Sequence, residues 1–395
     1  MQEGKMKNIC IFIDVVYGVG GTFQYNQQIL AALLYLPKHR YNVTVFYVDD
    51  AWANLIPKGF ERRRLHYPEK LKLTYKILFG IGLSDRMMRF LFLKSPLKPL
   101  ADPSFDLVLF PSQDLAGLFL AANPLNVVHD LMHRYEKQFK ESSGLGRRKF
   151  RDRLFASMCK FSRVVLVDSN VGKIQLIESY GPSQAVIEAL PYIAPSHIVN
   201  YDEKKHNGYF EKISLPAKFI FYPAQFWPHK NHKILIEATR ILKERLPDFH
   251  LLFTGPKNHA FSEIHNYCKK YDLLNNITFL DYVPNDVLGG FYKRARALVM
   301  PTYYGPTNIP PLEAIAMGCP VAVSGIYGMP EQLGNAALYF DNTRLEDVVK
   351  VLEQLWTQDN LCAELRKVSE KHFLNWNEKH FNLRLYEIIE KHSVT

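Results

Sequence analysis

The segment Gly305-Pro306-Thr307-Asn308-Ile309-Pro310-Pro311-Leu312-Glu313-Ala314 joins groups that bind anions to a carboxylate that binds hydroxyls. Proline suits the first turn of a helix, because its φ is already helical and the N–H it lacks would have no intrahelical partner there. The spacing predicts a helix from Pro311 to about Met317, ended by Gly318 in the left-handed position that follows a helix. The loop before it would then present backbone N–H groups at a helix N-terminus, a natural anion site. Glu313 would fall in the first turn, where the helix dipole favours negative charge. A carboxylate repels a second phosphate, so sugar hydroxyls are its better partners. These residues point to a nucleotide-sugar site; alone, the same segment also fits an ordinary helix N-terminus with a solvated glutamate.

The elements that must position this segment follow from the hydrophobic pattern. Short apolar runs alternate with amphipathic stretches, the signature of a parallel sheet with crossover helices. Ile9–Val15 reads as a strand, then Gly18-Val19-Gly20-Gly21 and a helix from about Thr22 to Leu36. Val43–Val48, Leu107–Phe110, Asn126–Val128 and Val164–Val167 read as further strands. The pattern restarts at Phe219–Tyr222 and continues through strands His250–Phe253, Ile277–Leu280, Ala297–Met300 and Val321–Val323, ending in a helical tail. Tyr201 to Gly208 is polar and reads as a linker. Two doubly wound α/β domains are expected, 1–200 and 201–372, with ligand bound where strand C-termini face a cleft. A final helix, 373–395, is expected to return to the first domain.

Composition narrows the function classes. The 395 residues suffice for two domains, and neither repeats nor low-complexity tracts interrupt them. Five cysteines (Cys10, Cys159, Cys268, Cys319, Cys362) lack CxxC spacing, which argues against a zinc site or disulfide framework and for a reducing compartment. Asn8–Ile13 is short and meets Asp14, so it reads as a strand rather than a secretory leader, and no run is long enough to span a bilayer. A cytoplasmic location follows as an expectation. The net charge of +10 is concentrated: residues 58–98 hold eleven Lys and Arg against three Asp and Glu, interleaved with apolar groups. Such a segment either lies on an anionic membrane surface or forms core-packed helices with solvated basic faces. No nucleic-acid motif accompanies it.

Beyond these residues, the chain resembles the retaining glycosyltransferases of family four (glycosyl transferases group 1), which have the GT-B architecture. Four segments carry the resemblance: Tyr222 to His232 with Lys230-Asn231, Leu251 to Gly255, Ile277 to Val283, and Pro301 to Glu313 with Gly318-Cys319-Pro320-Val321 and Pro330-Glu331. Val128-His129-Asp130-Leu131 and Val167-Asp168-Ser169-Asn170 match acceptor-side segments. The resemblance implies that Lys230 offsets charge on the leaving diphosphate, that Glu313 binds ribose hydroxyls, and that the amides of Thr307, Asn308 and Ile309 cradle the phosphates. His129 would line the donor-sugar pocket, although a lone histidine is commonly structural. Gly20 and Gly21 would approach the diphosphate from the other domain. Gln225, His229 and Asn231 would flank Lys230, and Tyr282 and Val283 would lie near the base.

Two positions depart from the family pattern. Gly305 stands where a first glutamate belongs, eight residues before Glu313, and Gln225 stands where many members have arginine. Either Asn308, Thr307 or His229 takes over some contacts, or turnover is lost. The expected reaction is transfer of a hexose or deoxyhexose from a nucleoside diphosphate sugar to a hydroxyl of a glycan or lipid-linked glycan, with retention, in cell-envelope polysaccharide synthesis. No metal or other cofactor is expected, since no Asp-x-Asp pair is placed to hold one with the phosphates. A catalytically impaired nucleotide-sugar-binding partner, a nucleotide-sugar epimerase and a membrane-surface scaffold remain as alternatives.

Overall fold

The computed structural model describes residues 6–393 apart from Val19 and His259; Val19 of the expected glycine turn and the last two residues of the expected final helix therefore lie outside it. The chain divides into two compact units. The first takes the residues up to Tyr192 and again from Glu378, and the second runs Ile193–Asn377.

The first unit is a seven-stranded sheet in which every pairing is parallel. Its strands are β1 (Lys7–Ile13), β2 (Tyr41–Tyr47), β3 (Glu61–Arg64), β4 (Leu107–Phe110), β5 (Pro124–Val127), β6 (Val164–Val167) and β7 (Val186–Ala189), in the order β3-β2-β1-β4-β5-β6-β7. Parallel strands covered on both faces need continuous apolar runs, and Ile9–Ile13, Leu107–Phe110 and Val164–Val167 are buried throughout. The strand order reverses between β1 and β4, which defines this unit's switch point. Asp14 and Val15 lie beyond the end of β1, and the following helix is Gly20–Ala32, beginning earlier than expected. The Glu378–His392 helix packs on this unit: Arg384, Lys391 and His392 all reach Glu188 on β7, at 2.9, 2.8 and 3.1 Å.

The second unit is a six-stranded parallel sheet. Its strands are β8 (Ile220–Pro223), β9 (Leu251–Thr254), β10 (Ile277–Leu280), β11 (Ala297–Met300), β12 (Val321–Ser324) and β13 (Ala337–Phe340), ordered β10-β9-β8-β11-β12-β13. The switch point lies between β8 and β11.

The stretch read as a linker is instead part of this unit. Glu203–Phe210 is a helix, and Tyr201 and Phe210 pack against Gly289 and Gly290 so closely that a Cβ at Gly290 would lie 2.5 Å from the Phe210 ring. Arg294 pairs with Glu203 at 3.0 Å and covers the Phe210 ring. With Ser196–Val199 packed on the Asn285–Arg294 helix, the chain enters the second unit at 193 rather than 201. The Asp359–Asn375 helix runs through the expected exit at 372, so the crossing back falls at 377. All five cysteines are free and buried, and no helix among the described residues is long and apolar enough to cross a membrane.

Candidate functional site

The loops that follow β8 and β11 form the candidate site, because these are the two strands at the second unit's switch point. After β8, a single 3-10 turn (Pro228–Lys230) ends at Asn231 in the left-handed conformation, φ +55°. Hydrogen bonds fix this turn to its surroundings. Tyr222 Oη donates to the Lys230 carbonyl at 2.9 Å, and the His229 carbonyl accepts from Tyr303 N at 2.9 Å and from Thr302 Oγ1 at 3.2 Å. Asn231 Nδ2 donates to the Asn342 carbonyl at 3.0 Å, and Asn342 Nδ2 donates to the Thr302 carbonyl at 3.0 Å. The Asn231 side chain therefore clamps the turn to the β11 loop. His229 stacks on Tyr304 with centroids 3.9 Å apart. His232 enters the core against Phe226, 4.3 Å between centroids.

Lys230 is half-buried, and it forms no ion pair with the described residues. Burial pulls its pKa down to about 8. A desolvated ammonium without a counter-ion is costly, so the charge this turn lacks is negative.

The β11 loop corrects two expectations. The helix spans Ile309–Ala316, with Asn308 as its N-cap, and so starts two residues before Pro311. Glu313 is consequently its fifth residue, beyond the first turn, and its side chain is buried. Tyr292 Oη donates to Glu313 Oε2 at 2.6 Å. Burial pushes the Glu313 carboxyl up to about 7, and the Tyr292 hydroxyl limits the rise. The second correction concerns the amides. Pro310 and Pro311 have no N–H, and the Asn308 N–H donates to Gln332 Oε1 at 3.0 Å while Gln332 Nε2 returns a bond to the Asn308 carbonyl at 2.9 Å. The helix N-terminus thus offers an anion chiefly the Ile309 amide, beside the buried Thr307.

Gly305 has a structural reason. Its φ is +94°, and a Cβ there would lie 2.6 Å from the Thr307 carbonyl oxygen and 2.7 Å from Asn308 Nδ2. Asn308 Nδ2 donates to the Tyr304 carbonyl at 3.0 Å, folding the loop over this glycine. A side chain at 305 is incompatible with that fold. Gln225 is exposed, its Oε1 accepting from Trp227 Nε1 at 2.9 Å and Asn258 Nδ2 at 3.0 Å. Tyr282, exposed, and Val283, buried, follow β10. That strand is two positions from β8, roughly 10 Å at the usual strand spacing.

In the first unit, Gly20 (φ +71°) and Gly21 open the Gly20–Ala32 helix. His129 follows β5 with both ring nitrogens engaged: Nε2 lies 3.1 Å from the Pro111 carbonyl and Nδ1 2.9 Å from Tyr192 Oη. A carbonyl only accepts, so Nε2 carries the proton and Nδ1 of the neutral ring accepts from Tyr192. Burial lowers the His129 pKa. Contact with a substrate through either nitrogen requires release of one of these bonds.

The first unit's switch point holds a further titratable group. Asp14 lies just after β1, and burial together with the charge of Asp114, in the loop after β4, raises its pKa to about 7. Lys72 Nζ is 2.8 Å from both Asp14 Oδ1 and Glu69 Oε1. Sequence reasoning missed Tyr292, Gln332, Thr302 and Asn342 as well as this cluster. Only Gln332 had a signal, its place next to Pro330-Glu331.

Both units are Rossmann-like, and together they are the two domains of a GT-B fold. Residues 209–372 match the family described as glycosyl transferases group 1. The serotype-specific mannosyltransferase WbdA of Escherichia coli is 26% identical over 172 residues, 43% of this chain and 21% of that protein. The O-antigen chain mannosyltransferase RfbU of Salmonella typhimurium is 29% identical over 160 residues, 40% of this chain and 44% of that protein. This chain spans only about a fifth of WbdA's length. Sucrose-phosphate synthase from Thermosynechococcus elongatus has the same fold, with TM-score 0.73, 17% identity and 98% of each chain covered.

Proposed function

We propose that this protein transfers a sugar from a nucleoside diphosphate sugar to a hydroxyl of a glycan or lipid-linked glycan, in the synthesis of a cell-envelope polysaccharide such as O-antigen or capsule. The observation that carries this reading is Lys230, a half-buried cation without a counter-ion among the described residues, held beside the β11 loop and the helix that bears Glu313. A diphosphate supplies the missing charge, and Glu313 accepts hydrogen bonds from ribose hydroxyls once ionised. Tyr282 and Val283 serve the base. The names of the matched relatives make mannose the first sugar to test.

In this reading configuration is retained by a front-face step. The bond from the anomeric carbon to the phosphate oxygen breaks, the bond to the acceptor oxygen forms on the same face, and the acceptor proton passes to the departing phosphate. Lys230 stabilises the charge that develops on that phosphate. No metal is required, and the enzyme works at the cytoplasmic face of the membrane.

Gly305 and Gln225 favour one second reading, a partner protein that binds the nucleotide sugar without turning it over. Incubation with a panel of nucleoside diphosphate sugars, mannose donors first, separates the two. The transferase reading expects nucleoside diphosphate release with sugar transfer, a product of unchanged anomeric configuration by NMR, and full rate in the presence of chelator. Full activity in a Lys230→Ala, Glu313→Ala double variant refutes the mechanism; donor binding without transfer supports the partner protein.

A further inference from the structure

The basic segment forms two helices, Glu69–Gly80 and Asp85–Leu93, whose two sides have opposite fates. Tyr75, Phe79, Met88 and Phe92 are buried, with the Tyr75 and Phe92 rings 4.4 Å apart and Phe92 stacked on Phe119. Arg153 fastens the turn between the helices by donating to the Phe79 and Leu83 carbonyls. On the outer side, Leu73, Ile77, Ile81, Met87 and Phe90 are 48% to 75% exposed. No other stretch of this length among the described residues exposes as many large hydrophobic side chains. Leu73 and Ile77 are four residues apart and Met87 and Phe90 three, so each pair shares a helix face. Lys70, Lys76, Arg86, Arg89 and Lys94 are exposed around them, and none has a carboxylate within ion-pair distance among the described residues.

We infer that this outer face docks on an anionic bilayer surface. Apolar groups enter the headgroup boundary while cations meet lipid phosphates. A second copy of the chain is a poor occupant, since the same five cations would face one another. The location has a consequence for substrate. Lys72, on the inner side of the Glu69–Gly80 helix, grips Asp14 at the end of β1, so the docking helix borders the first unit's switch point, where ligands of such sheets bind. A surface so placed fits an acceptor delivered on a lipid, and this extension, unlike the docking itself, rests on the proposed transfer reaction.

The test is co-sedimentation of the full chain with vesicles of phosphatidylcholine alone or with 30% phosphatidylglycerol. Binding is expected only to the anionic vesicles, weakening with added salt. It should fall by about tenfold or more in Ile77→Ser/Phe90→Ser and in Lys76→Glu/Arg89→Glu. Equal binding to neutral vesicles, no binding, or undiminished binding by both variants overturns the proposal. A self-association that both variants abolish, without vesicle binding, assigns the face to a second copy and also overturns it. Unaltered circular dichroism shows that the variants fold. Transfer to a water-soluble acceptor should survive both variants while transfer to a lipid-linked one falls. Vesicle binding with no transfer to either acceptor refutes the transferase reading and leaves the docking surface standing.

Discussion

Replacing Glu313 with glutamine should make the ligand-free protein more stable at alkaline pH while removing its donor chemistry. Burial moves this carboxyl from 4.5 to about 7 in the folded chain. Between those values the unfolded chain has ionised and the folded chain has not, so stability falls as pH rises and levels off above about 7. At ~1.36 kcal/mol per pK unit, the complete shift costs about 3 kcal/mol, of which about 2–3 accrues between pH 5 and pH 8. Glutamine keeps an oxygen that accepts from Tyr292 and carries no charge. Its unpaired amide hydrogens add a fixed cost of about 1–3 kcal/mol, the same at both pH values. Urea unfolding of both proteins at pH 5, 6, 7 and 8 isolates the pH-dependent part. The stability of Glu313→Gln relative to the wild type should climb by about 2–3 kcal/mol across that range. A difference that stays flat would mean that Glu313 is not ionising under burial, and the account of a carboxylate kept ready for hydroxyl donors would fail.

Other substitutions probe the same architecture. Lys230 holds its proton only up to about pH 8 in the free protein, so donor affinity, measured by titration calorimetry, should fall as pH rises through that value, and Lys230→Met should abolish this fall together with most of the affinity. Because the charged form is the disfavoured one, Lys230→Met should not lower the stability of the ligand-free protein at pH 7; a large loss in urea unfolding would count against an unpaired cation. Gly305→Ala places a Cβ at φ +94° against the Thr307 carbonyl and should destabilise by about 1–3 kcal/mol, seen as a lowered Tm. Burial raises the Glu188 pKa, but hydrogen bonds from Lys391 and His392 outweigh it and hold the carboxyl at about 2. The stability it contributes is complete above about 4.5 and lost as pH falls toward 2. Glu188→Gln should cost about 1–3 kcal/mol at pH 7 and free the Glu378–His392 helix to exchange its amide hydrogens faster.

Legibility in the sequence tracked burial. Strands such as Leu107–Phe110 and Val164–Val167 are covered on both faces and announce themselves as apolar runs. The edge strand Glu61–Arg64 is exposed at every position and carries no such signal; only its register against Thr44–Tyr47 makes it a strand. The Glu203–Phe210 helix reads as polar because it docks through Tyr201 and Phe210 into space left by two glycines eighty residues away. At the candidate site, Lys230 and Glu313 stand out in the sequence because each is a charged residue beside a glycine- or proline-bearing turn. Their supports do not. Tyr292, Asn342 and Gln332 act through distances that the fold creates, and nothing in their local sequence separates them from ordinary polar residues. The proline pair signals a helix start, two residues later than the true one, and its other effect, the removal of amide donors, appears only once the helix is seen to begin at Ile309.

That effect changes how the two departures at Gly305 and Gln225 are weighed. Had the helix offered a full set of N–H groups, the loss of a neighbouring glutamate and arginine would matter little to phosphate binding. Here two of the first three helical residues are prolines, and the Asn308 amide is held by Gln332, so backbone donation is thin. Gln225 contributes no charge, and its oxygen is already shared between Trp227 and Asn258. In the proposed reading the electrostatic burden of a diphosphate falls on Lys230, whose turn is laced to Tyr222, Thr302, Tyr303 and through Asn231 to Asn342. A single cation must be held still to act like a cluster. Restoring a carboxylate at 305 would not return the site to the family pattern, because the loop that closes over Gly305 is the same loop that positions Asn308 and the start of the Glu313 helix.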